Sequence, residues 1–239
     1  MRLRVIDIET SGGEPSEIIE IAAVDVVADP GGWIAEPPRS ILFAPRGPIS
    51  VHAMAIHHLT PAHLAGVEGP CDDGALAAFL SDGGRPDALV AHNASFERQH
   101  IGAGVTAGLP WICTLKAARA AWPEAPGHSN QVLRYWRGLD LDPALAMPPH
   151  RAGPDAWVTA HILLDLLRTA SADDLLAWSL APRSLDRVPF GRHRGEPWRA
   201  VPSPYLDWLM AEPEMAQDVA DRARAERAGR TREGAAPEA

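Results

Sequence analysis

Arg4 to Glu9, near the N-terminus, reads as a short β-strand: apolar, β-branched and ended by a Thr-Ser-Gly-Gly turn. Side chains alternate faces along a strand, so Ile6 and Ile8 share one face and Asp7 and Glu9 the other. A strand this apolar belongs inside a sheet, and it brings two carboxylates to one face at its end. Their repulsion is costly unless something positive stands between them. A divalent cation with oxygen ligands meets that need. Simple solvation of both acids at a strand end also fits the pair taken alone, and the choice rests on the rest of the chain.

At 239 residues the chain suffices for one large domain, or one domain with a small appendix, and 46% hydrophobic residues allow a sizeable core. No run of about 18 apolar residues occurs, so no membrane partner is expected. The N-terminus enters a strand directly, without a signal-peptide pattern. Cys71 and Cys113 have neither disulfide-framework nor metal-site spacing, which fits a reducing cytoplasm. Lys116 is the sole lysine; with the many Ala, Gly and Pro this reflects coding bias and not function.

Glu17 to Val27 is a second strand, broken by Pro, Gly and Asp around Ala28 to Gly32, and a third is expected near Ser40 to Ala44. Three strands with short turns suggest an antiparallel meander. Val51 to Leu64 then looks helical, with Thr60-Pro61 resembling an N-cap followed by Pro at the first position. Asp72 to Leu80 is another helix. Ala88 to Ala91 reads as a buried strand feeding a helix from about Ala94. A strand near Trp111 to Cys113 precedes helices near Leu115 to Ala121 and Asn130 to Trp136. The clearest helix is Pro154 to Leu167, where Trp157, Ala160, His161, Leu164 and Leu167 recur at helical spacing and Gly153 and Pro154 suit the cap and first turn. A composition shift follows from about Thr169 to Arg187. The pattern is that of an α/β domain whose mixed sheet is covered on both faces, over 1–172. A small module over 183–212 and a charged segment over 213–239 follow, with a polar tail from Gly229 expected to be disordered.

Two further acids stand at element ends. With Asn93 as N-cap, Glu97 falls in or just past the first turn of its helix, and Asp155 opens the long helix. The helix macrodipole favours an acid in either place by about 0.3–1 kcal/mol, so each has an ordinary explanation alone. His150, on a loop after Pro148-Pro149, is by itself a surface histidine.

Taken in order, Asp7-Ile8-Glu9-Thr10, then His92-Asn93-Ala94-Ser95-Phe96-Glu97, then His150 with four residues before Asp155, resemble the three motifs of the DEDDh family of 3′–5′ exonucleases. The resemblance spans roughly Met1 to Thr169. It implies a ribonuclease H-like fold with a central five-stranded sheet. It also implies two-metal hydrolysis of phosphodiesters, with Mg²⁺ or Mn²⁺ suited to oxygen ligands. By the same resemblance Asp7 bridges the ions, Glu9 and Asp155 help hold the one that activates water, and Glu97 supports the second. His150 is then the general base, since imidazole titrates near working pH. Ile49 to Thr60, Trp111 to Arg119 and the run from His150 to Leu167 resemble the bacterial exodeoxyribonuclease X branch. So do Phe190-Gly-Arg-His-Arg-Gly195 and Pro204-Tyr-Leu-Asp-Trp-Leu209 in the appendix. One departure stands out: the family carries aspartate where this chain has Glu97.

Several residues keep two readings. Thr10 and Ser11 approach the terminal sugar of a substrate or merely make the turn. His57 lies in a stretch resembling the family's loop beside the terminal nucleotide, or is an ordinary core or surface histidine. Asn93 binds substrate or only caps a helix. Arg183 to Arg199 holds five arginines against two acids, a net of +3. Arg192 and Arg194 in its glycine-rich turn therefore grip nucleic-acid phosphates, or decorate a solvated hairpin. Glu214 to Arg230 reads as a helix with a solvated, charge-alternating face. The implied partner is DNA with a 3′ end, single-stranded or as a frayed duplex, with RNA the runner-up. The rival from another class is a nucleic-acid-binding protein whose catalysis Glu97 has blunted. A net charge of −9 argues against a non-specific polyanion binder but is compatible with a nuclease whose acids are offset by bound cations.

Overall fold

The computed structural model describes residues 1–181, 187–212, 215 and 217–233. The chain divides into two compact units, Met1–Leu180 and Ala181–Ala239.

In the first unit, β1 (Arg2–Thr10) and β2 (Ile18–Asp29) form a long antiparallel pair in which Glu9 faces Glu20. β3 (Gly32–Ala35) and β4 (Arg39–Leu42) pair end to end along the other edge of β2, against residues 26–29 and 20–23. β5 (Ala88–Ala91) runs parallel to β1, and β6 (Trp111–Cys113) parallel to β5. The mixed sheet therefore has six strands in five positions, where the family likeness implies five strands. The extra strand is β3. The Pro-Gly break after Val27 is a tight turn, in which Gly31 N–H donates to Asp29 Oδ1 at 3.1 Å, and the chain returns along β2.

Eight helices complete this unit: α1 (Val51–His57), α2 (Asp73–Ser81), α3 (Ser95–His100), α4 (Thr114–Ala121), α5 (Asn130–Trp136), α6 (Pro143–Ala146), α7 (Ala152–Leu166) and α8 (Ala172–Leu180). The two-residue period of β1 sorts the core. Leu3 and Val5, with Ala22 and Val24 of β2, pack against α4, α5, α7 and α8. Ile6 and Ile8 pack on the opposite face with Leu76 and Leu80 of α2. Each fully buried Leu, Ile or Val contributes about 1.5–3 kcal/mol, which is why the register of β1 is fixed.

Several boundaries differ from the sequence reading for local reasons. α1 is capped by Ser50, whose Oγ accepts from Ala53 N–H, and it stops at His57 because His58 turns left-handed at φ 61°. Thr60-Pro61 opens only a run of turns and no helix. Asn93 is not the cap of α3. Its φ of 81° places it before Ala94, and its Oδ1 accepts from the Ser95 hydroxyl. α7 begins at Ala152 with Arg151 at the cap position, so Gly153 and Pro154 lie inside the first turn. α8 lies within the stretch where the composition shifts, and its Leu175 is fully buried in the core of the first unit.

In the second unit, Arg187 and Pro197 form one antiparallel bridge where short strands are expected, with single 3₁₀ turns at Gly191–His193 and Trp198–Ala200. α9 (Ser203–Ala211) and α10 (Gln217–Glu233) follow. Trp198, Leu206 and Leu209 make a core with Val219 and Ala223, so α10 is anchored on one side and is not solvated all round. Gly229 lies within α10. The tail beyond Glu233, and residues 183–186 at the start of the expected module, fall outside the described residues. Among the described residues no helix is long and apolar enough to cross a membrane.

Candidate active site

The parity that buries Leu3 and Val5 under α7 also carries Asp7 and Glu9 to that face, because all four alternate with Ile6 and Ile8. α7 lies across β1 and β2 and presents Asp155 from its first turn. One ligand oxygen from each of Asp7, Glu9 and Asp155 lies within 4.8 Å of the other two. Glu97 comes from α3, which follows the parallel neighbour β5. It is 3% exposed, and its Oε2 is buried without a hydrogen-bond partner.

The electrostatics follow from crowding four acids in a partly dry site. Burial, then the charges of Glu97, Asp155 and Glu9, hold the Asp7 carboxyl well above its ordinary range. Burial and the charges of Asp155 and Glu20 push Glu9 up to about 8, against an opposing pull from Arg151. Burial pushes Glu97 up to about 8 as well. Asp155 is raised by burial, less strongly opposed by the His150 N–H. Asp25, on the same β-hairpin, shows the contrast. Burial pushes it up too, but the Arg4 guanidinium, donating at 2.7 Å to both its oxygens, outweighs this and leaves it below the usual carboxylate range. The cluster around Asp7 has no such guanidinium fork. An all-oxygen donor set fits hard divalent cations, and Asp7, Glu9 and Asp155, with Glu97 acting electrostatically on Asp7, are the residues that could hold one.

His150 sits on the exposed loop before α7 at φ 60°, a conformation that costs a non-glycine residue about 1–2 kcal/mol. Its backbone N–H donates to Asp155 Oδ2 at 2.7 Å, and the Gln131 amide reaches Asp155 Oδ1 at 3.4 Å. The next residue, Arg151, forks onto Glu20 through Nε at 2.9 Å and Nη2 at 2.8 Å, while Ala152 N–H donates to the same carboxylate at 3.0 Å. Glu20, Arg151 and Gln131 are absent from the sequence reading. The available signal was Glu20 itself: a lone acid inside the apolar run Ile18–Val24 must be buried, and a buried charge requires a partner.

The remaining candidates are placed as follows. His57 is 2% exposed and both ring nitrogens meet backbone: Nδ1 accepts from Leu59 N–H at 2.9 Å, and Nε2 lies 3.2 Å from Thr10 O. That geometry makes it a brace between α1 and the end of β1, not an open substrate contact. Burial lowers its pKa, in keeping with a neutral ring. Ser11 is buried in the turn, where its Oγ accepts from Glu17 N–H at 3.0 Å, and Thr10 adjoins the acids. Asn93 is exposed at the mouth of α3. His92 is bound away from the site, 3.0 Å from the Thr114 hydroxyl and 2.8 Å from His128 O, and burial pushes it down to about 4. Arg192 and Arg194 are exposed in the second unit.

A model of the Exonuclease family matches residues 5–163, and the chain belongs to that family, as a phosphodiester hydrolase of DEDDh type with a ribonuclease H-like fold. Exodeoxyribonuclease 10 of Escherichia coli strain K12 is 36% identical over 214 residues, spanning 87% of this chain and 90% of that protein. The PolC-type DNA polymerase III of Halalkalibacterium halodurans is 31% identical over 184 residues, 72% of this chain but 12% of that longer protein. Among solved structures, exonuclease X in complex with 5′ overhanging duplex DNA matches with a TM-score of 0.59 and 35% identity, over 74% of this chain and 99% of that one. The nuclease domain of 3′hExo, a DEDDh family member bound to rAMP, shares the fold at a TM-score of 0.53 and 16% identity, over 70% of this chain and 92% of its own.

Proposed function

We propose that this chain is a cytoplasmic 3′–5′ exodeoxyribonuclease that removes nucleoside 5′-monophosphates from the 3′ end of a single strand or frayed duplex. The observation that carries the reading is the meeting of Asp7, Glu9 and Asp155 oxygens within 4.8 Å of one another beside Glu97. Two divalent cations, Mg²⁺ or Mn²⁺, held by these four acids would stabilise the attacking and leaving oxygens of an in-line displacement. The chain's own groups do the rest. His150 takes the proton of the attacking water, from a loop that Asp155 and the Glu20–Arg151 fork hold in place. The new bond joins the water oxygen to phosphorus and the bond to the 3′ oxygen breaks. The released nucleoside keeps its 5′-phosphate, and the leaving 3′ oxygen takes a proton from solvent, so the shortened strand ends in a 3′-hydroxyl. Thr10, next to Glu9, and Asn93, exposed at the start of α3, are suited to the terminal nucleotide, whereas Ser11 and His57 shape the turn that carries Thr10.

The likeness to exonuclease X bound to DNA supports DNA over RNA. The test is a strand labelled at its penultimate nucleotide, offered as DNA and as RNA with Mg²⁺, Mn²⁺ or chelator. Metal-dependent release of single nucleotides from the DNA 3′ end is expected. Faster release from RNA would reverse the substrate assignment, and an inert protein with either metal would sink the catalytic reading.

A further inference from the structure

Of the eight tryptophans, Trp208 alone is exposed, at 45%. It stands one turn after Tyr205 on α9, with ring centroids 5.2 Å apart and planes tilted by 34°. Tyr205 is the hub of a small assembly. The Arg192 guanidinium lies 5.1 Å over its ring, and the His193 ring meets it edge-on at 4.6 Å. The loop can come this close only because Gly191, at φ +72°, has no Cβ, which would lie 2.3 Å from the Tyr205 hydroxyl. Phe190, next in the chain, is 37% exposed. The aromatic face is thus built and held, and it is not a loose side chain on the surface.

We propose that this face is a stacking platform for a single-stranded nucleic acid, with Trp208 taking a base and Arg192 and Arg194 its phosphates. Charge selects this occupant over an apolar protein partner. Arg192, Arg194 and Arg199 are exposed, while of the acids nearby Asp207 is neutralised by a fork from Arg227 at 2.7 and 3.2 Å, Glu196 lies 3.1 Å from His193 Nδ1, and Glu212 follows Trp208 by one turn. The ten arginines and ten acids from Ala181 onward cancel, so the net charge of −9 resides wholly in the first unit. A polyanion repelled by the first unit outside its metal site gains most from a holding surface on the second. Aromatic stacking tolerates any base, which suits an enzyme that shortens strands of arbitrary sequence. The proposal rests on the exonuclease reading for its substrate class and goes beyond it in naming a second nucleic-acid site.

The test uses the full chain with Trp208→Ala, Trp208→Phe and Arg194→Ala. Binding of a single-stranded oligothymidine and of a blunt duplex is followed by fluorescence anisotropy in chelator, and turnover is measured on a dinucleotide. Trp208→Ala should weaken single-strand binding by about 5- to 150-fold, the usual range for losing one stacking aromatic. Trp208→Phe should restore most of it, and dinucleotide turnover should not change. The salt dependence of binding should be unaltered in Trp208→Ala but shallower by about one charge in Arg194→Ala. Unchanged single-strand affinity in Trp208→Ala, or an equal loss on blunt duplex, would overturn the platform. Because binding is read without hydrolysis, a chain that binds through Trp208 yet releases no nucleotide would overturn the exonuclease reading and leave the platform standing.

Discussion

Glu20 and Arg151, 131 residues apart in sequence, meet in two parallel hydrogen bonds of 2.9 and 2.8 Å. The pair ties β2 to the first turn of α7, and so sets the loop of His150 beside the acids of β1. Planar fork-to-carboxylate geometry is what lysine cannot reproduce. Arg151→Lys should therefore cost turnover, about 10-fold or more, with a smaller change in KM. Arg151→Ala should also lower stability, because it leaves Glu20, 3% exposed, as an unpaired buried charge. Breaking such a pair costs ~3–5 kcal/mol when both partners are buried; with Arg151 at 32% exposure ~2–3 kcal/mol is expected in urea unfolding. Equal turnover in Arg151→Lys and the parent would remove the pair from any positioning role.

Asp7→Asn and Asp155→Asn should each abolish hydrolysis, yet Asp7→Asn should raise the stability of the metal-free protein. The cause is burial of the charged carboxylates, with their mutual repulsion added. Asp7 and Asp155 are raised, and Glu9 and Glu97 reach about 8, so the native site keeps protons that the unfolded chain has already released. Metal-free stability consequently falls as pH rises from the ordinary carboxylate range, near 4.5, to about 8. Asp25, held low by Arg4 despite its burial, works the other way and loses its contribution only below that range. Thermal unfolding across pH 5–8 checks this, with and without Mn²⁺, which should flatten the slope and raise Tm most at the alkaline end. A metal-free Tm that climbs steadily with pH would contradict the cluster's electrostatics.

His150→Ala should lower turnover by about 10²–10⁴-fold, the usual range for a general base. Its contribution to the site's frame is the backbone N–H on Asp155, which alanine retains, so Mn²⁺ affinity should be nearly unchanged. Stopped-flow rates at saturating substrate, beside calorimetric Mn²⁺ titration, separate the two. Weakened metal binding together with an unchanged rate would give His150 a different job.

Glu97→Asp decides whether the longer side chain is an adaptation or a handicap. Glu97 Oε2 is already buried and unpartnered, and Glu97 is the charge acting most strongly on Asp7. Shortening it by one methylene withdraws that oxygen, and a displacement of about 1 Å can cost roughly 10²-fold. A clear loss of turnover in Glu97→Asp is expected. A marked gain would mean that the natural chain is attenuated and better described as a binder.

What the sequence made legible was whatever depends on local period or motif order. β1 was readable because Ile6 and Ile8 alternate with Asp7 and Glu9, and α5 because Asn130 to Trp136 is a short amphipathic turn after Ser129. Asp7, Glu9, Glu97 and Asp155 were readable because each stands at an element end and the three motifs come in order. Long-range pairing was not legible. Nothing near Glu20 in sequence announces Arg151, and nothing near Asp155 announces Gln131. His57 kept two readings, substrate contact or ordinary histidine, because its two backbone partners, Thr10 and Leu59, meet only after the α1 turn closes. β3 was hidden by Pro30 and Gly31, which punctuate a turn as readily as they end a strand.

The sheet ends at β6, three residues long, and there Cys113 N–H donates at 2.7 Å to the Ser179 hydroxyl of α8 instead of to another strand. Lys116 reaches the Ser179 carbonyl at 2.8 Å beside it. An open strand edge is a template on which other chains assemble, and proteins guard against that by covering it. α8 is such a guard, and Leu175 anchors it in the core. The stretch where the composition shifts is therefore what covers the open edge of the sheet. A chain cut at residue 172 would retain all four acids and His150, and its first failing would be self-association along β6, well before any defect in chemistry.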